Sequence, residues 1–446
     1  MKTILKNAAV VNPFGPVVTT DITIENGIIA DVGKADAADA KVYECDGLQV
    51  LPGVIDAHTH IGYGSERDME TETQSAIAGG VTTLLTYHRK NENYLETVPK
   101  FIDKINAESY CNVGVQLGLS NPNHIAEMEI YADKFGIPSF KYFTNYTGAA
   151  GVKAGVSITS DAYLLEIMTK LAKINGVICI HTENQELVES YTAKVKARGN
   201  DSLKGWYEAR PPYCEADALM RVAYCALKTG CTLYVVHVTC KESLDMLDMI
   251  RKTYPEAKII AETCPHYLTH TCESSLGNVG KVNPPLRTKS DIDALWAAIE
   301  DGRIATVASD HVARKLEKKT GSIFTINAGF PGSGTLLPIM LHEGVYKRGI
   351  KLQRIAEMMS YNPAKIFGIS GRGYIAPGMA ADLTVVDTRK VDKVKVEFSN
   401  ADYSIFDGWE LTGWPVYTFI DGQERRVPLY AGELNKPCGK YIARKL

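Results

Sequence analysis

Residues 53–60 read Gly-Val-Ile-Asp-Ala-His-Thr-His, an apolar stretch that ends in two histidines separated by one residue. Its short length and its β-branched residues are typical of a buried strand. Residues i and i+2 of a strand point to the same side, so His58 and His60 can reach a single ion. A His-x-His pair is a weak signal when it stands alone, and its meaning depends on what other strands carry at their ends.

Seven further apolar stretches follow along the chain. They are residues 82–87, 113–117, 139–143, 177–181, 233–237, 259–262 and 304–310. The segments between most of them are amphipathic, and those at 163–174, 215–228, 241–252 and 291–299 have helical periodicity. Eight strands that alternate with helices predict an α/β fold, a parallel (β/α)8 TIM barrel, with fewer units or a doubly wound sheet as the alternatives.

Candidate metal ligands lie in or at the ends of these stretches. Lys141 lies within the fourth, His181 and His237 end the fifth and sixth, and Asp310 ends the eighth. In a barrel these positions converge on the carboxyl ends of the strands, where such enzymes have their active sites. Lys141 lies among aromatic residues, where desolvation favours the neutral amine. A neutral amine reacts with carbon dioxide to form a carbamate, which could bridge two metal ions. Glu262, which ends the seventh stretch, could orient a ligand.

The two ends of the chain differ from the middle. Short alternating stretches at residues 2–5, 21–24 and 28–30 are separated by turn residues, and the same pattern returns at 382–386 and 416–422. We therefore predict a small β-sandwich domain formed by residues 1–51 plus 377–446. The catalytic TIM-barrel domain is predicted over residues 52–376.

The composition excludes several classes of function. The chain is 45% hydrophobic and 23% charged, and its formal net charge of -3 provides no basic field for nucleic acid. The N-terminus lacks the apolar core of a signal peptide, and no apolar run approaches the roughly 20 residues needed to cross a bilayer. The 10 cysteines are scattered without a Cys-x-x-Cys motif, which favours free thiols. We expect a cytoplasmic protein without nucleic acid or membrane partners.

Taken together, these motifs resemble the amidohydrolase superfamily. The nearest group is that of the hydantoinases, dihydropyrimidinases, dihydroorotases and allantoinases. The resemblance rests on residues 53–60, Phe140-Lys141, His181, His237 and Ser309-Asp310-His311, and extends to residues 362–364 and 373–383. It therefore covers nearly the whole chain.

The resemblance implies two divalent ions, expected to be Zn²⁺, bridged by N6-carboxylysine at Lys141. The first ion would be held by His58, His60 and Asp310, and the second by His181 and His237. A hydroxide that bridges the ions would be the nucleophile, and Asp310 would transfer its proton to the leaving nitrogen. Tyr146 would hydrogen-bond the developing oxyanion, unless it only packs over the barrel rim. The resemblance also implies a homo-oligomer, a tetramer or a dimer.

The residues around the predicted site do not select one ring. Gly62 stands where dihydroorotases carry an arginine for the substrate carboxylate, which argues against that activity. Residues 282–287 nevertheless resemble the dihydroorotase segment, and Asn283 is predicted to contact the ring where hydantoinases usually have serine. Asn327 resembles an asparagine with which hydantoinases contact the ring.

Two arginines are candidates for a polar or anionic ring substituent. They are Arg314, four residues after Asp310, and Arg67; the alternative for each is a solvent-facing side chain. We predict a metal-dependent hydrolase that opens a C–N bond of a small cyclic amide, as hydantoinases and dihydropyrimidinases do. Dihydroorotase or allantoinase activity is the alternative. Remoter alternatives are a non-catalytic scaffold protein related to dihydropyrimidinase, which would lack the ligands, and a mononuclear deaminase, which would generally lack the lysine.

Overall fold

Two sheets organise the chain. The computed structural model describes residues 2–395, 398–426 and 436–446, without the side chains of Ala149 and Arg426. The strands are β1 (Lys2–Val10), β2 (Val18–Glu25), β3 (Ile28–Val32), β4 (Ala40–Glu44), β5 (Gln49–Pro52), β6 (Val54–His60), β7 (Val81–His88), β8 (Asn112–Gly118), β9 (Ser139–Phe143), β10 (Val177–His181), β11 (Thr232–Val235), β12 (Ile259–Thr263), β13 (Thr306–Val307), β14 (His311–Val312), β15 (Leu383–Lys393), β16 (Glu410–Ile420) and β17 (Gln423–Arg426).

Both ends of the chain contribute to one mixed sheet, ordered β17-β16-β15-β5-β1-β2-β3, with β4 paired to β1. The N-terminal and C-terminal parts meet where β5 and β15 run antiparallel, with Leu51 opposite Thr384. Asn26 and Gly27, between β2 and β3, both have positive φ angles. Such angles are required by the two-residue turns that fit the twist of a hairpin. The apolar face of this sheet encloses a core of its own, which includes Ile22 and Phe419.

The middle of the chain forms a (β/α)8 barrel. Its parallel strands follow the order β13-β12-β11-β10-β9-β8-β7-β6-β14. The short strand β14 follows β13 after only residues 308–310 and pairs with β6, so the sheet curls round onto its first strand. Every residue of β7, β8 and β10 is buried, as expected for parallel strands that are covered on both faces. The predicted barrel is thereby confirmed.

Helices cover the outside of the barrel. They are α1 (Asp68–Ala78), α2 (Tyr94–Glu108), α3 (Pro122–Ala126), α4 (Met128–Phe135), α5 (Gly148–Ala154), α6 (Asp161–Lys173), α7 (Gln185–Ala197), α8 (Leu203–Glu208), α9 (Pro212–Thr229), α10 (Lys241–Thr253), α11 (Lys289–Glu300), α12 (Leu336–Ile339), α13 (Leu352–Ala356) and α14 (Asn362–Ile366). Leu244, Leu247 and Ile250 of α10 are buried at a three-residue spacing, which is the pattern of a helix with one apolar face. A capping box of Thr288 and Asp291 begins α11. Within the described residues, no helix combines the length and the apolarity needed to span a membrane.

Short helical segments of other types complete the helical structure. Those with 3-10 geometry are Pro265–Leu268, Gly277–Gly280, Leu316–Lys319 and Ser333–Thr335, and those with π geometry are Met340–Tyr346 and Glu357–Tyr361.

The junction between the two sheets is close-packed. Gly53 connects β5 to β6, and its backbone N–H donates to the carbonyl of Asp382 at 2.7 Å. A Cβ atom at position 53 would lie 2.2 Å from Oγ1 of Thr82, so only glycine fits here without displacing β7. The first barrel strand therefore begins in direct contact with the small sheet.

The end of the chain contacts the barrel. The carbonyl of Lys440 accepts from the N–H of Val113 at 2.9 Å, and the N–H of Ile442 donates to the Val113 carbonyl at 2.9 Å. The domain boundary predicted from the sequence assigns these residues to the small domain. Their hydrogen bonds join residues 440–442 to β8 of the barrel, and the domain boundary stays a prediction.

Candidate metal centre and active site

The six predicted ligands all lie at the carboxyl-end mouth of the barrel. His58 and His60 end β6, and His181 ends β10. Lys141 lies within β9, where it pairs with Gly118 of β8. The remaining two, His237 and Asp310, follow β11 and β13 and line the same cavity.

Two of these residues have an unusual backbone. The φ angles of His237 and Asp310 are 40° and 50°. This left-handed region is unfavourable for a residue with a Cβ atom, and such strain persists where the surrounding structure enforces it, often at functional sites. Both side chains are thus directed into the cavity by a conformation that a regular strand could not provide.

The donor atoms form two groups. Oδ1 of Asp310 lies 3.1 Å from Nε2 of His58 and 3.2 Å from Nε2 of His60, and the donor atoms of all three residues lie within 4.8 Å of one another. In the second group, Nδ1 of His181 lies 3.0 Å from Nε2 of His237. The rings of His58 and His237 stack with centroids 5.5 Å apart, which places the groups side by side.

Lys141 completes the arrangement. Its amine is buried, lies 4.7 Å from the centroid of the Tyr87 ring, and has no hydrogen-bond partner among the described residues. A buried polar atom without a partner is unfavourable unless something absent from the protein chain satisfies it. Four imidazole nitrogens, one carboxylate and one unpartnered amine fit a pair of divalent ions with nitrogen and oxygen ligands, provided the amine carries a carboxylate.

The second nitrogens of two histidines are held by carboxylates. Nδ1 of His58 donates to Glu262 at 2.7 Å, and Nε2 of His181 donates to Glu183 at 2.7 Å. Glu183 also accepts from Nη1 of Arg210 at 2.6 Å. Partners of this kind fix the ring orientation and the tautomer of histidines that bind metals. The sequence indicated such a role for Glu262 but assigned none to Glu183, although its position two residues after His181 provides a signal.

Burial and neighbouring charges hold the candidates in the protonation states that ligands need. Burial lowers the pKa of the Lys141 amine from 10.5 to about 8 and the pKa of His60 to about 4. Although burial opposes ionisation of Asp310, its electrostatic interaction with His58 and its hydrogen bond with His60 hold its pKa well below the ordinary value. Neutral imidazole and an ionised carboxylate are the forms that bind metal ions.

The cavity over these residues has a volume of about 320 Å³. Besides the six candidates it is lined by Tyr63, Tyr87, Arg89, Gly118, Phe143, Asn145, Tyr146, Val282, Asn283, Val312, Arg314, Ala328 and Gly329. The predicted substrate contacts Tyr146, Asn283 and Arg314 are therefore brought together with the ligands. A pocket of this size, lined mostly by polar and charged side chains, suits a small polar molecule.

Two predicted contacts lie elsewhere, and Arg89 is one of several lining residues that had not been predicted. Asn327 is exposed on the loop whose neighbouring Ala328 and Gly329 line the cavity. Arg67 is also exposed, at 71%, and pairs with Glu70 at 3.0 Å. Arg89, which directly follows β7, lines the cavity. Its position at a strand end is the only signal that the sequence offers for it.

Comparisons with known proteins agree with this geometry. Residues 49–425 match the Amidohydrolase family. An allantoinase from Enterococcus faecalis is 29% identical over 441 residues, which cover 94% of this chain and 94% of that protein. The structure of a dihydropyrimidinase from Brevibacillus agri has a TM-score of 0.91 and 27% identity, covering 100% of this chain and 99% of its own. A D-hydantoinase structure has a TM-score of 0.91 and 28% identity with the same coverage.

The family match covers every strand of the barrel and strands β5, β15 and β16 of the mixed sheet. The related structures, all above 25% identity, share the complete architecture rather than the barrel alone. Together with the histidines, lysine and aspartate at the barrel mouth, these findings show that the protein belongs to the amidohydrolase family.

Proposed function

We propose that this protein hydrolyses a C–N bond in a cyclic amide of the hydantoin or dihydropyrimidine type. The observation that carries the proposal is the convergence of Lys141 with four histidines and Asp310 in one cavity. The cavity volume of about 320 Å³ suits a small ring. The named activities of the dihydropyrimidinase and D-hydantoinase relatives support the same choice of substrate.

The proposal includes two divalent ions, Zn²⁺ as the expected metal, and N6-carboxylysine at Lys141. His58, His60 and Asp310 would hold one ion, His181 and His237 the other, with Lys141 between them. When bound, such ions activate water as a nucleophile near neutral pH and polarise a carbonyl group. The unpartnered amine of Lys141 supports this assignment, because its modification would remove a buried group that lacks a partner.

Three side chains would act on the ring directly. Asp310 is ionised and can accept a proton from the attacking water and transfer it to the leaving nitrogen. The hydroxyl of Tyr146 would donate a hydrogen bond to the carbonyl oxygen as negative charge develops on it. Asn283, whose buried Oδ1 has no partner among the described residues, would accept from a ring N–H.

Allantoin is a second candidate substrate. The E. faecalis relative is an allantoinase, and allantoin is a hydantoin ring with a ureido substituent, so the same ring chemistry applies. Dihydroorotate is less favoured, because Gly62 stands where dihydroorotases carry the arginine that binds the carboxylate on the ring itself. The tetramer or dimer implied by the resemblance, and the cytoplasmic location expected from the sequence, stay predictions.

Metal analysis combined with ring-opening assays tests the proposal. We expect about two zinc ions per chain after purification, and turnover of hydantoin or dihydrouracil. Allantoin and dihydroorotate serve as the competing substrates. No turnover of any ring by protein reconstituted with zinc and bicarbonate would contradict the proposal.

The substitution Tyr146→Phe tests the role of the hydroxyl. The phenylalanine ring keeps the contact with Phe143, whose centroid lies 4.8 Å from that of Tyr146, so only the hydroxyl is lost. We expect kcat to fall by about 10²- to 10³-fold, with metal content and KM little changed. Tyr163→Phe, at a half-buried tyrosine of α6 outside the cavity, is the matched control. Equal kcat values for both variants would refute the role.

A further inference from the structure

We propose that Arg89 and Arg314 form an anion-binding subsite at the cavity mouth, which selects cyclic amides that carry a carboxylate on the ring substituent. This inference rests on the proposed function and specifies its substrate class. Arg314 was one of two candidates from the sequence, whereas Arg89 and the pairing of the two arginines emerge from the structure.

Arg89 is positioned by the lack of a side chain at Gly118. A Cβ atom on Gly118 would lie 2.7 Å from both Cβ and Cγ of Arg89, so the stem of the arginine lies directly on the glycine backbone. The guanidinium then lies over two aromatic rings, 5.3 Å from the centroid of Tyr146 and 5.6 Å from that of Phe143. Nη1 donates to the carbonyl of Ala154 at 3.0 Å. These contacts, with a side-chain interaction with Tyr63, hold the charge beside Tyr146 in the wall of the cavity.

Arg314 is held from a different part of the chain. Its Nε donates to the carbonyl of Ala328 at 3.0 Å, and its two terminal nitrogens donate to none of the described residues. Burial lowers its pKa, and Tyr403, Tyr146 and Tyr63 oppose that effect. Burial also raises the pKa of Tyr63, and Arg89 opposes that rise. The two arginines therefore share Tyr63 and Tyr146 as neighbours.

Neither arginine is paired with a carboxylate among the residues that the structure describes. Asp310 is the acidic residue among those lining the cavity, and its Oδ1 is directed at His58 and His60. Two partly buried guanidinium groups without an acidic partner carry a desolvation cost that an anionic ligand would offset. A carboxylate suits them best, because the planar fork of arginine binds its two oxygens together.

The position of the pair indicates which part of the substrate it contacts. Lys141 and the histidines lie at the cavity floor, and Lys141 is only 1% exposed, whereas Arg89 and Arg314 are partly exposed. A ring whose scissile carbonyl reaches the floor beside Tyr146 would therefore present its substituent to the arginines.

Three hydantoins of similar size test the subsite: one with a carboxyethyl side chain, one with an isopentyl side chain, and allantoin with its neutral ureido group. The variants are Arg89→Met and Arg314→Met, which remove the charge and keep an unbranched stem. Arg67→Met is the matched control, because Arg67 is an exposed arginine outside the cavity. The readout is the ratio of kcat/KM for the carboxyethyl ring to that for the isopentyl ring.

We expect the wild type to prefer the carboxyethyl ring, and each cavity variant to lower the ratio by about 10- to 100-fold, as for loss of a hydrogen bond to a charged group. Arg67→Met should keep the wild-type ratio. No wild-type preference, equal losses on both rings, or a preference for allantoin over the carboxyethyl ring would overturn the anionic subsite.

A binding measurement separates failure of the proposed subsite from failure of the proposed function. Calorimetry with N-carbamoylglutamate, the ring-opened form of the carboxyethyl hydantoin, needs no turnover. We expect Kd to rise about tenfold or more in each cavity variant relative to Arg67→Met. If no ring is hydrolysed, the proposed function fails, and an unchanged Kd would then overturn the subsite as well.

Discussion

At the scale of single residues, Glu262 connects the two groups of the candidate metal site. Its carboxylate accepts from Nδ1 of His58 at 2.7 Å, from the backbone N–H of His237 at 3.0 Å and from the hydroxyl of Tyr234 at 2.7 Å. One bond fixes the tautomer of His58, so that Nε2 faces the cavity. Another supports the left-handed backbone of His237. A single buried acceptor thus orients one candidate ligand from each group.

The substitution Glu262→Gln should weaken metal binding without changing the ligands. The amide has no negative charge, so its single oxygen accepts less strongly from Nδ1 of His58 and from the N–H of His237 than the carboxylate does. We expect metal affinity to fall about 10- to 100-fold, measured as the metal retained by the protein across a series of chelator concentrations. Tyr234→Phe, which removes one of the three bonds and keeps the carboxylate, should lose less. A glutamine variant that retains as much metal as the wild type would contradict this role.

The sequence predicts the candidate ligands better than the residues around them. His58, His181 and Asp310 each end an apolar stretch, so the barrel topology alone brings them together. Arg89 also follows a strand, but this position does not predict its role, which depends on how its side chain crosses Gly118 and reaches Tyr146 from another strand end. Contacts of this kind arise from tertiary packing and cannot be derived from periodicity.

At the scale of elements, two buried lysines join two walls of the cavity. Nζ of Lys281 donates to the carbonyl of Ile326 at 2.7 Å, and Nζ of Lys319 donates to the carbonyl of Lys281 at 3.1 Å. The backbone N–H of Gly329 donates to the same Lys281 carbonyl at 2.9 Å. The segment that carries Asn283 is therefore tied to the loop that carries Ala328 and Gly329. Lys319 ends a strongly charged run of residues, 314–319, yet it is only 3% exposed.

The burial of Lys281 and Lys319 should make the stability of the folded protein depend on pH. Burial lowers the pKa of Lys281 and of Lys319 to about 7, whereas a lysine of the unfolded chain has a pKa of about 10.4. Between these values the unfolded chain binds protons that the folded protein does not, so stability rises with pH. Below pH 7 both states are protonated, and the cost of burying the charge is present in full.

We expect Lys319→Met to reduce the rise in the thermal midpoint between pH 6.5 and 9, because one of the two groups that bind fewer protons in the folded state is removed. The comparison uses thermal unfolding of the wild type and the variant at both pH values. Lys318→Met is the control. The side chain of Lys318 is 58% exposed, so its loss should leave the rise unchanged. The same rise in all three proteins would show that the buried lysine does not titrate as proposed.

At the scale of the whole molecule, the end of the chain packs against β8 and β9 of the barrel. Nη1 of Arg444 donates to Oγ of Ser139 at 2.9 Å, and Nη2 donates to the carbonyl of Val115. The backbone N–H of Arg444 donates to the Gly136 carbonyl at 2.9 Å. The composition of this tail resembles that of the small domain, and nothing local predicts its contacts with β8 and β9. Contacts between residues so distant in sequence depend on the completed fold.

Arg444→Met tests whether this tail holds the barrel together. The side chain is 3% exposed, so the substitution leaves buried acceptors on β8 and β9 without a donor. An unsatisfied buried acceptor costs about 1–3 kcal/mol, and we expect a loss of at least about 2 kcal/mol in the free energy of unfolding by urea. Lys445→Met, at an exposed neighbour, should lose almost nothing. If the two variants unfold at the same urea concentration, the tail only lies against the barrel. If Arg444→Met alone is less stable, the contacts of Arg444 with β8 and β9 contribute to the free energy of unfolding of the barrel.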